Sequence, residues 1–332
     1  MRLGIVVFAI LGLGLIAYLV LHVGIDAVLS AIAGVGIGGF LVLCAYGLLM
    51  FALLGAGWFV LDIDARFSTL KVFVWGRAVR DSAGEVLPFS QLGGFVIGAR
   101  AVILRDVPAP VAFASTVVDV TTELMGQIVF VVAAIAIMLL RLPGGSSATA
   151  LVRGGMIGVM LAIIGAAGFV FVQRRGFAVV ERIMARIFPG AAVHAAAVTR
   201  AMKAIHAEPR RILLSFALHI LGWLAAAGFG WLAVRLIGRQ IDFASIIAIE
   251  GMLCAIRSAA IFVPSAYGVQ EASYAMLMPL FGLGPDVGLA VSLLRRGRDI
   301  ALGIPILLAW QALEGSRTLV PAGAPSAPER RV

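Results

Sequence analysis

A chain of 332 residues that is 62% hydrophobic and 13% charged, with a mean hydropathy of +1.08, is too apolar for a soluble globular domain and falls among polytopic helical membrane proteins. Its net charge of +9, from 26 Lys and Arg against 17 Asp and Glu, marks cytoplasmic loops near anionic lipid, and no nucleic-acid partner is expected. Cys44 and Cys254 lie in apolar segments and the histidines (His22, His194, His206, His219) are scattered, so a disulfide framework, a metal site and any other cofactor are not expected.

Residues 3–21 follow Arg2 as an apolar run long enough to span a bilayer and longer than a signal-peptide core, so they read as a retained first span. A second span covers 40–61 and ends at Asp62, Asp64 and Arg66. Residues 71–104 are apolar but interrupted by Arg77, Arg80, Asp81, Glu85, Pro88 and the Gly93-Gly94 pair. Each half is about 16 residues, roughly 24 Å of helix, which falls short of the hydrocarbon core. A re-entrant helical hairpin with its tip near Pro88 fits that pattern.

Residues 111–140 form a long span bearing Asp119 and Glu123, and 141–153 form a loop around PGGSS. A span over 156–172 precedes a basic amphipathic stretch, 174–211, expected to lie on the membrane surface. Residues 212–234 span, 243–281 form a second broken segment with its tip at Pro264, and 287–313 form the last span. A Pro-, Ala- and Gly-rich tail follows, expected to be disordered and cytoplasmic over 318–332. If both broken segments return to their own side and the N-terminus is cytoplasmic, only Arg141, Arg153, Arg235 and Arg239 of the loop cations lie outside. A single crossing by each would instead turn the 174–211 block outward, against the positive-inside tendency.

Sliding the sequence by 176 residues brings Pro88 onto Pro264, Val111 onto Val287 and Glu123 onto Asp299. Each copy is a proline-broken hairpin followed by an acid-bearing span, and the two spans between the copies make the repeat inverted. In that arrangement, discontinuous helices meet around a midplane site. Ionisable groups at that depth are costly and face a protein interior or a wet cavity. The candidates for lipid-headgroup binding or coupling are Arg80, Glu85, Asp119, Glu123, Arg257, Glu271, Arg295, Arg296, Arg298 and Asp299, with Pro88, Pro264, Gly268 and Gln270 at the tips. Arginine suits phosphate because its planar fork bonds oxyanions bidentately. Asp119 or Glu123 is expected to pair with Arg295 or Arg298 across the repeats, and Glu271 with Arg257 if its role is only structural. No catalytic motif stands out. Asp62-x-Asp64 has the form of a metal-binding acidic pair but reads as a solvated helix end.

The tip sequences EVLPFSQLGG (85–94) and FVPSAYGVQEASY (262–274), followed by LLRRGRD at 293–299, resemble the flippase-like family that includes the membrane part of lysylphosphatidylglycerol synthase. Pro264, Gly268, Gln270 and Glu271 with LLRRGRD are most similar to its hopanoid-biosynthesis-associated branch. Ser90 and Gln91 depart from the family's usual small or basic residues at the first tip. The resemblance implies lipid handling without an aminoacyl-transferase domain, with membrane lipids (phospholipid or hopanoid) and lipid-biosynthesis or lipid-transport proteins as partners.

The expected protein is thus all-α, with about six transmembrane helices plus two re-entrant hairpins in one membrane domain (1–317). Its repeats cover about 67–140 and 243–313, and it sits in the bacterial cytoplasmic membrane with both termini inside. The expected function is lipid translocation. The alternatives are a membrane enzyme acting on a lipid or polyprenyl phosphate, and a scaffold for a lipid-synthesis complex.

Overall fold

The computed structural model describes residues 25–64, 66–86, 90–141, 189–260 and 263–318, with Met156, Met160, Ile163 and Ile164. The expected span at 3–21, the loop after Arg141, most of the span at 156–172, the basic stretch before residue 189 and the tail after residue 318 lie outside the described residues. So does the ring of Pro88.

Regular structure among the described residues is entirely helical. In chain order the α-helices are α1 (Ile25–Phe59), α2 (Leu70–Val86), α3 (Ser90–Ile103), α4 (Ala109–Arg141), α5 (Pro189–His206), α6 (Pro209–Leu236), α7 (Phe243–Ala259), α8 (Val269–Leu277) and α9 (Pro285–Thr318). Three are long and apolar enough to cross a membrane: Ile32–Phe59 within α1, then α4 and α6. They present large apolar side chains outward, such as Leu41, Leu49, Leu140 and Leu213, while Asp119, His219 and Glu271 are fully buried. That inversion of the water-soluble pattern is what a lipid solvent selects. α9 is as long as α4, yet carries Arg295, Arg296, Arg298 and Asp299 in its middle.

Local signals set the helix ends. Pro209 opens α6 at a position where its missing N–H costs no hydrogen bond. Asp242 caps α7, accepting from the Ser245 hydroxyl and backbone N–H at 2.6 and 3.1 Å. Those bonds, the hydroxyl first, hold its carboxyl below the usual range, with Arg141 adding to the effect from 2.8 Å. α2 stops short of Pro88 and α7 short of Pro264, as the residue before a proline disfavours helix.

Two sets of four helices, α1–α4 and α6–α9, pack by the same plan. α2 lies on α3 and on α9, and α7 lies on α8 and on α4; α1 touches α2 and α9, and α6 touches α7 and α4. Equivalent helices run in opposite directions. Arg211 at the start of α6 donates to the carbonyls of Val60, Asp62 and Ile63 just past the end of α1. Likewise Arg141 at the end of α4 bridges to Asp242 at the start of α7, while Glu314 near the end of α9 bridges to Arg100 near the end of α3.

The first helix of each broken pair stops halfway along the opposite set's long helix. Gly303, just past the midpoint of α9, lies against Ser82 and Val86 at the end of α2. Gln127, at the equivalent point of α4, donates to the Ser258 hydroxyl at the end of α7 at 2.6 Å. Gly303 is needed for that approach, since a Cβ there would fall 2.6 Å from Val86 Cγ2. Gly303→Leu is expected to cost about 1–3 kcal/mol by overpacking, read as lowered thermal stability in detergent. Gly38→Leu, at a position with open space around it, serves as the control and should change little.

In α5, the described part of the basic stretch, Met202 and Ile205 pack on Leu61, Ala114 and Val118, leaving Arg200 and Lys203 exposed.

Candidate functional site

The polar residues of the interior form three groups. The first closes the space between α2 and α4. Arg77 donates to Asp81 at 2.8 Å and to both oxygens of Glu123 at 3.0 and 2.6 Å. Arg80 donates to Asp119 at 2.6 Å and to Glu123 at 2.5 Å, with its guanidinium 4.3 Å from the Phe95 ring centre. His219 of α6 completes the group, its Nε2 lying 2.9 Å from Asp119 Oδ1. A bidentate guanidinium–carboxylate pair with additional hydrogen bonds is the form in which buried charge is tolerated.

The second group is its counterpart in the other half. Glu250 of α7 receives Arg295 of α9 at 2.7 and 2.8 Å and the Tyr274 hydroxyl at 2.5 Å. Glu250 stands 173 residues after Arg77, the offset between the starts of α7 and α2, and Arg295 stands 176 after Asp119. Arg77 also lies 3.6 Å from Asp119, so the Arg77–Asp119 and Glu250–Arg295 pairs stand at matching positions with their signs exchanged. The offset changes by three residues across the tips, so the 176-residue register holds from the prolines onward but not through the helices that precede them.

The third group joins the ends of α2 and α7. Glu85 accepts from Arg257 at 2.7 Å and lies 3.9 Å from Arg296. Arg257 also donates to Gln270 at 3.2 Å, Gln270 to Ser292 at 2.9 Å, and Ser292 to Glu271 at 3.2 Å. Arg296 returns to Glu271 at 3.0 Å and stacks 4.6 Å from the Tyr267 ring centre. The result is a closed ring of six side chains, five from one half and Glu85 from the other. Its backbone frame is strained, because Ser265 and Ala266 both take left-handed φ values, 47° and 48°. The Ala266 carbonyl is held by Arg296 at 3.3 Å. Gly268 supplies the φ of 78° that starts α8, and its N–H donates to Glu271 at 2.9 Å.

The structure thus brings Glu85, Arg257, Gln270, Glu271 and Arg296 together, with Gly268 and the backbone of Pro264 framing them. Arg80, Asp119 and Glu123 stand apart in the first group and Arg295 in the second. Arg298 and Asp299 pair with each other, and Arg298 lies 4.3 Å from the Phe229 ring centre. The expected pairing of Asp119 or Glu123 with Arg295 or Arg298 is not formed. Their cations come from α2 instead, Arg77 and Arg80 in the same half of the chain, while Arg295 is taken by Glu250 and Arg298 by Asp299. Glu271 pairs with Arg296 and not with Arg257, which the opposite tip has taken through Glu85.

Five members escaped the sequence reading, among them Tyr274 beside Glu250. Glu250 is the only acid inside α7, and its 173-residue relation to Arg77 was the available signal. His219 was visible as an imidazole in the middle of an apolar span. Ser292 and Tyr267 had no signal beyond their neighbours. Among the described residues no three His, Cys, Asp or Glu side chains are grouped to hold a metal ion.

A family described as the lysylphosphatidylglycerol synthase TM region matches the chain over residues 2–306. No curated protein and no solved structure matches it.

Proposed function

We propose that this chain, which belongs to the lysylphosphatidylglycerol synthase TM-region family, moves a polar-headed lipid across the bilayer through the ring at its two helix tips. The observation that carries the reading is Glu85 bridging Arg257 and Arg296 where α2 and α7 end halfway along the opposite long helices. Charges at that depth are costly unless they serve a ligand or one another. This ring does the second in a way that permits the first, since a headgroup phosphate can take the place of the Glu85 carboxylate between two guanidiniums.

In this reading the halves, about 67–140 and 243–313, are inverted repeats, and α2–α3 and α7–α8 are re-entrant hairpins within a fold of about six spans. The chain lies in the cytoplasmic membrane with both termini inside. Support for that orientation comes from the exposed Arg66, Lys71, Arg105, Arg200, Lys203 and Arg210 at one end of the bundle. The hopanoid-associated branch is the proposed source of the cargo. Mixed charges at depth favour translocation over catalysis.

The test is movement of headgroup-labelled phospholipids and hopanoids in liposomes. Arg257→Ala and Glu271→Gln are each expected to slow it at least ~10-fold, the factor implied by losing a charged hydrogen bond of about 1.5–3 kcal/mol. Unchanged rates in both folded variants would remove the ring from the mechanism.

A further inference from the structure

The first group, between α2, α4 and α6, takes no part in the headgroup ring, and its charges do not balance. Asp81, Asp119 and Glu123 face Arg77 and Arg80, three carboxylates against two guanidiniums. His219 is the one further titratable group in contact with them among the described residues. It is fully buried, with Nε2 on Asp119 and Nδ1 without a hydrogen-bond partner among the described residues. Most buried polar atoms are hydrogen-bonded, so the orphaned Nδ1 calls for an explanation.

We propose that the Asp119–His219 pair is a proton-binding site, and that its occupancy is coupled to the lipid movement inferred above. The proton adds to the Nδ1 lone pair of His219, with Nε2–H donating to Asp119 throughout. No other bond is made or broken, and the group goes from one net negative charge to none. Each state carries one defect: without the proton a negative charge is uncompensated, and with it a buried N–H has no acceptor. Neither state is free of a penalty, and that gives the group a reason to exchange a proton. The coupling clause rests on the translocation reading; the site itself does not.

The other surroundings leave the balance alone. From α1 the imidazole meets Gly57, which carries no charge, and Trp58 nearby donates to Ser115. On α5, Lys203 and His206 are exposed, and His206 is engaged with the Met202 carbonyl. α7 offers Glu250, which lies against Gly230, three turns further along α6, and is paired with Arg295. From α9, Arg298 lies over Phe229 and is paired with Asp299. The group reaches the protein surface at the Asp81 and Glu123 side chains, 25% and 20% exposed, and that is the route by which a proton would enter.

The experiment is nitrogen-15 NMR of histidine-labelled protein in nanodiscs, with the His219 signal identified by its loss in His219→Gln. Both ring nitrogens are expected to carry a proton in acidified samples of the unmodified chain and only one in alkaline samples, and the doubly protonated form should be reduced in Asp119→Asn, where the carboxylate facing Nε2 is gone. A ring that keeps one protonation state in both samples, or that behaves identically in Asp119→Asn, overturns the site. For the coupling, liposomes are compared with and without an imposed pH gradient. The ratio of lipid-movement rates should be about tenfold for the unmodified chain, a gradient contribution of about 1.4 kcal/mol, and about one in His219→Gln. Equal ratios in the two proteins overturn the coupling. A chain that moves no lipid under any gradient overturns the translocation reading and the coupling, while the NMR titration still decides the site.

Discussion

Glu250→Ala is expected to destabilise the protein by about 3–5 kcal/mol, because it leaves Arg295 charged and unpaired in the interior. The Arg295 side chain has nowhere to go. Its Nε already lacks a partner among the described residues, and the guanidinium is packed 5.1 Å from the Phe229 ring centre and 5.6 Å from that of Tyr274. The Tyr274 hydroxyl would lose its acceptor in the same stroke. Replacing both partners at once, Glu250→Met with Arg295→Met, should recover most of the loss, since two apolar side chains of similar volume leave no charge behind. Unfolding in mixed micelles of a mild detergent and SDS measures both. A single-variant cost below about 1 kcal/mol would mean that water reaches Arg295 as it does a surface ion pair.

Asp119→Ala should cost about 1–3 kcal/mol, for a different reason, the loss of a buried hydrogen-bond partner. Arg80 keeps Glu123, so its charge remains partly compensated. His219, however, loses the carboxylate at its Nε2 and becomes a buried imidazole with neither nitrogen bonded among the described residues. Asp81→Ala is the internal comparison. Its side chain is partly exposed and Arg77 retains both Glu123 bonds, so the change should stay within about 1 kcal/mol. The same unfolding measurement ranks the two carboxylates. If Asp81 mattered as much as Asp119, burial would not be what sets the cost.

What was legible in the sequence was whatever breaks a pattern. Pro88 and Pro264 interrupt apolar runs, and α2 and α7 do end short of them, at Val86 and Ala259. The charges of 295–299 stand out because nothing near them is polar. Partner choice was illegible. Asp119 and Glu123 could be assigned a cation in principle, but whether it came from α2 or α9 depends on how far apart the helices lie, and no periodicity encodes that. His219 shows the same limit from the other side. A lone imidazole in an apolar span reads as filler until a carboxylate from a helix 100 residues away is seen to reach it. The halves were found through identical residues after the prolines, whereas the relation before them, Arg77 to Glu250, is one of opposite charge and invisible to a search for likeness.

The ring at the tips also bears on how the chain is made. The first ion group is complete once residue 219 has been inserted, and the Arg77–Glu123 pair closes over only 46 positions. Glu85 has to wait for Arg257, 172 positions later, and for Arg296 beyond it. While the ribosome is still supplying the second half, the end of α2 is thus a carboxylate without a counter-ion, and hydrocarbon is no place to hold one. The end of α2 is therefore completed late, once the C-terminal half has arrived to receive it.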